Sequence, residues 1–310
     1  MMPFYEFLEE IRPAVNRRIG EVTGDEGSID PGVVPLLLRG KRMRAGLLLH
    51  THAALTGRKA PTRRALDLAC AVELAHAASL ILDDMLDGDI LRRGLPSHHL
   101  TRGTGRAVLD AVGVLALPYA LAAPCGAEYV AMLASAQQSM ARGVAWEMLG
   151  GSGLSSIDLY DAIIARKTGC LFALAAAWGA MAADEDEDVI AAFADFGLFT
   201  GKAMQIADDI ADLHAPAAGV PGRRPGSEAL LLQGTAGEDR TDQALATRLD
   251  TEIARATDRL GDGARQRLTP GEREAFGQAV RDIVGLTIAG GLPPGTATFQ
   301  VVRPGALVYR

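Results

Sequence analysis

The sequence predicts an all-α protein, and three observations predict it. Ala and Leu dominate, while aromatic residues make up only 5%. Few segments show the period-2 alternation of β-branched residues that a sheet requires. Long apolar runs with helical spacing are separated by Gly and Pro. The 310 residues are 48% hydrophobic and 22% charged, which suits a folded chain with a real core and disfavours disordered and fibrous classes. We read a single domain over residues 1–310.

The elements follow in order. A first helix is expected over Phe4–Glu21 and a second over Lys41–Leu55, stopped by Gly57. Arg63–Asp87 is the third, and Gly94-Leu95-Pro96 breaks the chain after it. Gly105–Ala122 and Tyr129–Leu149 come next, the latter ended by Gly150-Gly151. Ile157–Ala182 carries Asp158 and Asp161 near its start, where negative charge suits the helix dipole. The acidic run Asp184–Asp188 reads as a solvated connection into Glu187–Asp212. A Gly-, Pro- and Ala-rich stretch at about 215–239 is long enough to be a lid or a binding loop. Thr241–Leu260 and Pro270–Ala289 complete the helices. The tail at about 292–310 contains Thr298–Arg303, a short strand or an extended arm.

Charge and cysteine usage exclude some functions. A net charge of −7, from 31 basic and 38 acidic residues, argues against a nucleic-acid binder. Cys70, Cys125 and Cys170 form neither a disulfide framework nor a CxxC metal signature, which fits a reducing cytoplasmic setting. Met1–Arg12 carries Glu6, Glu9 and Glu10 and lacks an apolar signal core. Ala111–Ala127 and Thr168–Ala183 fall short of a membrane span and read as core helices, so no integral span is expected.

One short pattern recurs. Asp83-Asp84-Met85-Leu86-Asp87 and Asp208-Asp209-Ile210-Ala211-Asp212 are both DDxxD, each at the end of an apolar helix. At ordinary Asp frequency one match is expected on the order of 0.1 times in such a length. On a helix, positions i and i+4 share a face, so Asp83 projects with Asp87 and Asp208 with Asp212. Oxygen-only ligands select hard ions, and Mg²⁺ takes one or two carboxylates and completes its shell with water and substrate phosphate. Either motif alone reads equally as a solvated acidic helix end. The neighbours decide otherwise. Back along the helix from Asp83, His76, Ser79 and Leu80 lie within about 60° of it. Back from Asp208 lie Gly201, Met204 and Gln205. A charged mouth over an apolar stripe suits a ligand with an anionic head and a hydrocarbon tail.

Basic residues complete the pattern. In Gly40-Lys41-Arg42-Met43-Arg44, Lys41 and Arg44 are i, i+3 neighbours at a helix N-terminus, which favours anions. Arg92 and Arg93 follow the first acidic motif. Lys167-Thr168 sits in an apolar helix, where an unpaired lysine is costly. Singly these read as a surface basic cluster, a solvated loop and a snorkelling side chain, and His76 as a core histidine. Their joint occurrence around two DDxxD motifs points to a site.

The order and spacing of GKRMR, His76, DDMLDGDILRRG, Lys167-Thr168, Gln205 and DDIAD resemble those of the trans-isoprenyl diphosphate synthases (polyprenyl synthetases) over about residues 30–290. The resemblance implies the isoprenoid synthase type I fold: a single-domain bundle of long helices around a central cavity, usually homodimeric. It implies head-to-tail condensation of isopentenyl diphosphate (IPP) with an allylic diphosphate, and three Mg²⁺ ions. Asp83 and Asp87 would bind Mg²⁺ with Asp84 in support; Asp208 would bind a third ion with Asp209 and Asp212 in support. Arg92 and Lys167 would touch the allylic diphosphate. Lys41, Arg44, His76 and Arg93 would hold the IPP diphosphate. Thr168 and Gln205 would lie beside the developing carbocation. The family's loop lysines are replaced here by Arg223-Arg224 and Gly234-Thr235, and the residue before Gln205 is Met204 rather than Phe. Ser79 and Ala78, four and five places before Asp83, are small where short-chain members carry an aromatic ring, and Ala75 lies a turn below. A product longer than C15, of C20, C25 or longer, is therefore expected unless side chains such as Met132 or Trp178 close the cavity from other helices. Two alternatives share some features. A class I terpene cyclase would have no IPP for Lys41, Arg44 and His76 to bind. A non-catalytic subunit of a heteromeric synthase sits poorly with two intact DDxxD motifs, although the replaced loop lysine suits it.

Overall fold

The computed structural model describes residues 2–24, 29–150, 153–213, 238–291, 300–301 and 307–308. In chain order its helices are α1 (Phe4–Thr23), α2 (Val34–Leu37), α3 (Met43–Thr56), α4 (Arg63–Asp87), α5 (His98–Arg102), α6 (Thr104–Ala122), α7 (Ala127–Leu149), α8 (Ser156–Ile164), α9 (Cys170–Ala182), α10 (Glu187–Leu213), α11 (Glu238–Asp262) and α12 (Pro270–Gly291). Two short antiparallel hairpins, β1 (Leu91–Arg92) with β2 (Leu95–Pro96) and β3 (Gln300–Val301) with β4 (Leu307–Val308), are the strands among the described residues. The expected helices are present to within a turn at each end. The exception is Ile157–Ala182, which a π-helical turn at Ala165–Gly169 divides into α8 and α9. Helices α2 and α5 and the β1–β2 hairpin carry no periodic signal and were not expected. Of the Thr298–Arg303 stretch, Gln300–Val301 form β3, and its other residues lie outside the described residues. The 215–239 loop, with Arg223, Arg224 and Thr235, lies outside the described residues up to the start of α11.

Caps and charges place the ends. Thr62 caps α4, its hydroxyl accepting from Ala65 N at 3.2 Å, and Gly88 closes the helix with φ 69°. Ser155 caps α8 in the same way, accepting from Asp158 N. The acidic connection is not simply solvated. Arg64 donates to Asp184 at 2.7 Å, and Glu185 is half-buried and paired with Arg267. These bonds tie the α9–α10 turn to α4 and to the approach to α12.

Helix α9 is buried on all sides, with Phe172, Trp178 and Ala175 fully enclosed, and packs on α3 and α10. Gly197 and Gly201 let α10 approach it closely. A Cβ on Gly201 would lie 2.8 Å from the Gly169 Cα, closer than real packing allows. That approach brings Gln205 within reach of Thr168.

Helix α1 docks through an aromatic box. The His50 ring sits edge-on to Phe4, Phe7 and Phe276, with centroids 5.0–5.4 Å away. Among the described residues its two nitrogens have no hydrogen-bond partner, and burial pushes its pKa down to about 4. The folded state therefore refuses a proton that the unfolded chain accepts below its ordinary 6.5. Stability is full above pH 6.5 and falls, by at most about 1.4 kcal/mol per pH unit, as the pH drops toward 4. His50→Leu removes this titration. The difference in unfolding free energy between wild type and variant should be flat above pH 7 and tilt toward the variant between pH 6 and 4.5. A difference flat throughout would show that His50 takes its proton within the fold.

Four helical runs, α4, α6 with its extension to Cys125, α8–α9 and α10, are long and apolar enough to cross a membrane by length and composition. The bundle uses most of that apolarity internally: two thirds of the α4 and α8–α9 windows is buried, against 33% for α6.

Candidate active site

The first acidic motif occupies the last turn of α4. The negative end of a helix dipole is an unfavourable place for three aspartates, so the surrounding structure must compensate. Asp84 is buried and turned inward. Arg92, returned by the β1–β2 hairpin, reaches it at 2.5 Å and Asp89 at 2.7 Å. Asp83 lies 3.9 Å from Lys167 Nζ, which donates to Glu147 at 2.6 Å. Burial raises the pKa of Asp83 and Asp84 above the ordinary aspartate value, despite Lys167 and Arg92. Burial and the adjacent Asp83 together push Asp87 up to about 6.

The hairpin turn is itself unusual. Arg93 and Gly94 have φ of 53° and 74°, the paired positive values of a tight two-residue hairpin turn. Arg93 carries this strain because its guanidinium is held by the Leu36 and Arg39 carbonyls. Gly40, at φ 149°, leaves room for it; a Cβ there would meet the guanidinium at 3.0 Å.

The second motif occupies the last turns of α10. Asp209 is buried with both oxygens engaged: it accepts from Tyr160 Oη at 2.7 Å and from Gln205 Nε2 at 3.1 Å. Burial raises its pKa well above the carboxylate range, and these two bonds pull the other way. Thr168 Oγ1 donates to Gln205 Oε1 at 2.5 Å. Lys167 and Thr168 are therefore consecutive residues of the π turn that face opposite acidic walls. Such turns interrupt helices preferentially at functional sites. A buried network, in which Lys202 donates to Asp161 at 3.0 Å and Glu252 at 2.9 Å and Arg248 to Asp161 at 2.6 Å, ties α10 to α8 and α11 beneath the site.

The predicted basic residues divide. Arg44 is buried with its guanidinium 4.7 Å from the centre of the Phe172 ring, and burial lowers its pKa to about 10. Burial and the charges of Arg44 and Arg93 push the His76 pKa well below its usual value, leaving a neutral imidazole amid arginines. Arg44, His76 and Arg93 thus lie within one another's electrostatic reach. Lys41, three residues before Arg44, feels the charge of Asp208 as Arg44 does. Its ammonium donates to the Leu286 carbonyl at 2.6 Å, near the C-terminus of α12, within the field of Asp208. Arg42 proves structural: from a left-handed backbone it donates to Asn16 at 2.8 Å and to the Leu37 carbonyl at 2.6 Å, against buried Glu73. Arg92 faces Asp84 and Asp89, so its predicted contact with an allylic diphosphate would come from a side chain already engaged.

Along α4 the less packed strip below Asp83 is Leu80, Ser79 and His76, as the helical repeat predicts. Ala75 and Ala78 are fully buried. They point into closed helix packing because their azimuths fall well away from Asp83. Of the three chain-length positions, only Ser79 borders open space. Trp178 is fully buried with its ring 5.8 Å from that of Tyr129, and Met132 is half-buried.

Two site residues escaped the sequence reading. Glu147 had a faint signal, an isolated carboxylate in the apolar end of α7; Tyr160 had none.

The oxygen-only donors of the two helix ends fit Mg²⁺. Among the described residues no group of three or more His, Cys, Asp or Glu side chains converges into a protein-only metal cage. Mg²⁺ needs only one or two carboxylates when phosphate and water fill its other positions. The raised pKa of Asp87 marks crowded carboxylates that a cation would relieve.

Comparisons with known proteins agree with this geometry. The family described as polyprenyl synthetase matches residues 33–221. A geranylfarnesyl diphosphate synthase of Methanosarcina mazei is 34% identical over 187 residues, spanning 58% of this chain and 62% of that protein. A geranylgeranyl diphosphate synthase of Pseudescherichia vulneris is 32% identical over 266 residues, spanning 79% of this chain and 83% of its own length. A solved polyprenyl synthase from Caulobacter crescentus CB15, complexed with calcium and isoprenyl diphosphate, superposes with a TM-score of 0.69 at 25% identity, covering 92% of this chain and 98% of that one. With its two acidic helix ends, its π-turn Lys167-Thr168 and Gln205 in the family's order, this chain belongs to the polyprenyl synthetase family.

Proposed function

We propose that this protein is a trans-prenyltransferase that condenses IPP head-to-tail with an allylic diphosphate, to a product of C20 or longer. The observation that carries the reading is the pairing of two acidic helix ends across the Lys167–Thr168 turn, with Thr168 bonded to Gln205 between them. The relatives named for geranylfarnesyl and geranylgeranyl diphosphate support the substrate class and the product range.

Asp83 and Asp87 on one wall, with Asp208 and Asp212 on the other, would hold magnesium, and we propose three ions. Bound there, magnesium neutralises the charge that develops on the leaving diphosphate. Lys167 sits where it can touch the same diphosphate, its ammonium restrained by Glu147. The C–O bond breaks, its electron pair leaves with diphosphate, and the positive charge stays on the allylic carbons beside Thr168 and Gln205. The apolar walls exclude water that would quench it. Arg44, Arg93 and neutral His76 hold the IPP diphosphate while its double bond attacks. A proton then leaves the new tertiary cation, and the released diphosphate is an available acceptor.

We further propose a cytoplasmic homodimer. Helix α6 supports the dimer: Leu109 and Val112 are 69% and 60% exposed on one face, an apolar stripe that a second copy would cover. Light scattering should return twice the monomer mass. Net negative charge and three free cysteines support the cytoplasm.

Incubation with Mg²⁺, IPP and a panel of allylic diphosphates tests the activity. Elongation requires both substrates; consumption of the allylic partner alone would indicate a cyclase, and no turnover a non-catalytic subunit. Product length has its own test. Ser79→Phe should shorten the product by one or more C5 units and spare the first condensation. Ala78→Phe should instead cost about 1–3 kcal/mol of stability by overpacking. Chromatography of the dephosphorylated products and thermal melts read the two effects. Wild-type arrest at C15 with every primer would refute the longer product.

A further inference from the structure

We propose that Tyr160 is a positioning residue that fixes, through Asp209, the amide of Gln205 against Thr168 at the reacting carbons. Three hydrogen bonds in series carry the inference. Tyr160 Oη, on α8, donates to Asp209 Oδ2 at 2.7 Å; Gln205 Nε2 donates to Asp209 Oδ1 at 3.1 Å; and Thr168 Oγ1 donates to Gln205 Oε1 at 2.5 Å. Tyr160 is fully buried and Asp209 nearly so.

The direction of each bond matters. Asp209 accepts from both Tyr160 and Gln205, so it faces the amino end of the Gln205 amide and leaves that amide's oxygen end toward Thr168. Thr168 spends its proton on that oxygen and turns its own lone pairs away from Gln205. Both oxygens are then oriented before any charge develops, in a dry site where oriented dipoles act strongly. The Tyr160 bond locks the far oxygen of Asp209. Without it the carboxylate can rotate, and the amide that depends on it loses its orientation. On this account Asp209 serves orientation, and metal binding on that wall rests with Asp208 and Asp212.

The inference rests on the prenyl-transfer reading, and its test separates the two. Binding is measured, with Mg²⁺ present, for two analogues of geranyl diphosphate. One carries a trialkylammonium nitrogen in place of C3; the other is the uncharged-tail thiolodiphosphate. Tyr160→Phe keeps the ring and removes only the hydroxyl. It should weaken the ammonium analogue about tenfold and the neutral one less than twofold, consistent with loss of one link in a buried network. kcat should fall about tenfold, with both KM values and the half-saturating Mg²⁺ unchanged. Asp209→Asn, which cannot accept at both of its terminal atoms, should reproduce that pattern. Equal weakening of both analogues would make Tyr160 a scaffold residue, and a raised Mg²⁺ requirement in Asp209→Asn would make Asp209 a metal ligand. Either result overturns the proposal. Failure of wild type to bind either analogue would overturn the prenyl-transfer reading itself.

Discussion

Asp83→Ala is expected to lower kcat by at least about 10²–10³-fold, and Asp208→Ala by a similar factor, because each removes charge stabilisation from the leaving group in a desolvated site. The two residues lie on separate helices, at the ends of α4 and α10, so neither wall can replace the other. The loss should fall on kcat, since Arg44, His76 and Arg93 form a separate group. Added Mg²⁺ should restore part of the activity of either variant if the lost carboxylate served mainly to retain the ion. Stability should move the other way. Asp83 is desolvated, adjoins Asp87 and sits at the negative end of its helix, so its removal relieves repulsion. An unchanged or higher Tm beside a collapsed kcat would separate lost chemistry from lost fold. Near-normal turnover of either variant would refute the two-walled metal site.

Arg44→Ala should raise the KM for IPP by about 10–100-fold, the equivalent of about one charge-assisted hydrogen bond, and change the KM for the allylic partner much less. The guanidinium is pre-positioned over the Phe172 ring, and its Nε has no hydrogen-bond partner among the described residues. Beside it His76 is neutral and adds no repulsion. Arg44→Lys keeps the charge but loses the planar fork and the stacking, so it should recover only part of the affinity. Steady-state kinetics with each substrate varied in turn decides it. Equal rises in both KM values would mean that the two diphosphates do not occupy separate sites.

The sequence by itself determined the helical class, the long helices read from apolar spacing except for the π break within Ile157–Ala182, and which residue types could make a site. These are local properties. The positions of Asp83, Asp87, Asp208 and Asp212 on their helices follow from a fixed repeat, and Lys167 stood out because a charge in an apolar helix needs a partner. The strip of His76, Ser79 and Leu80 below Asp83 was legible for the same reason. The tertiary structure alone decided which identical residue types do different work. Asp84 and Asp209 repeat the letters of their motifs but turn inward, to Arg92 and to Tyr160 with Gln205. Arg42 and Arg44, two places apart, divide between scaffold and site, while Lys41 is taken by the end of α12. Ala75 and Ala78 look like a cavity floor by spacing yet lie in closed packing. Glu147 and Tyr160 reach the site across 20 and 49 residues of chain. Helical periodicity gives the azimuth of a side chain on its own helix, whereas the helix that stands opposite depends on packing between segments distant in sequence. That packing, which Gly197 and Gly201 make close enough for Thr168 to meet Gln205, assembled the site.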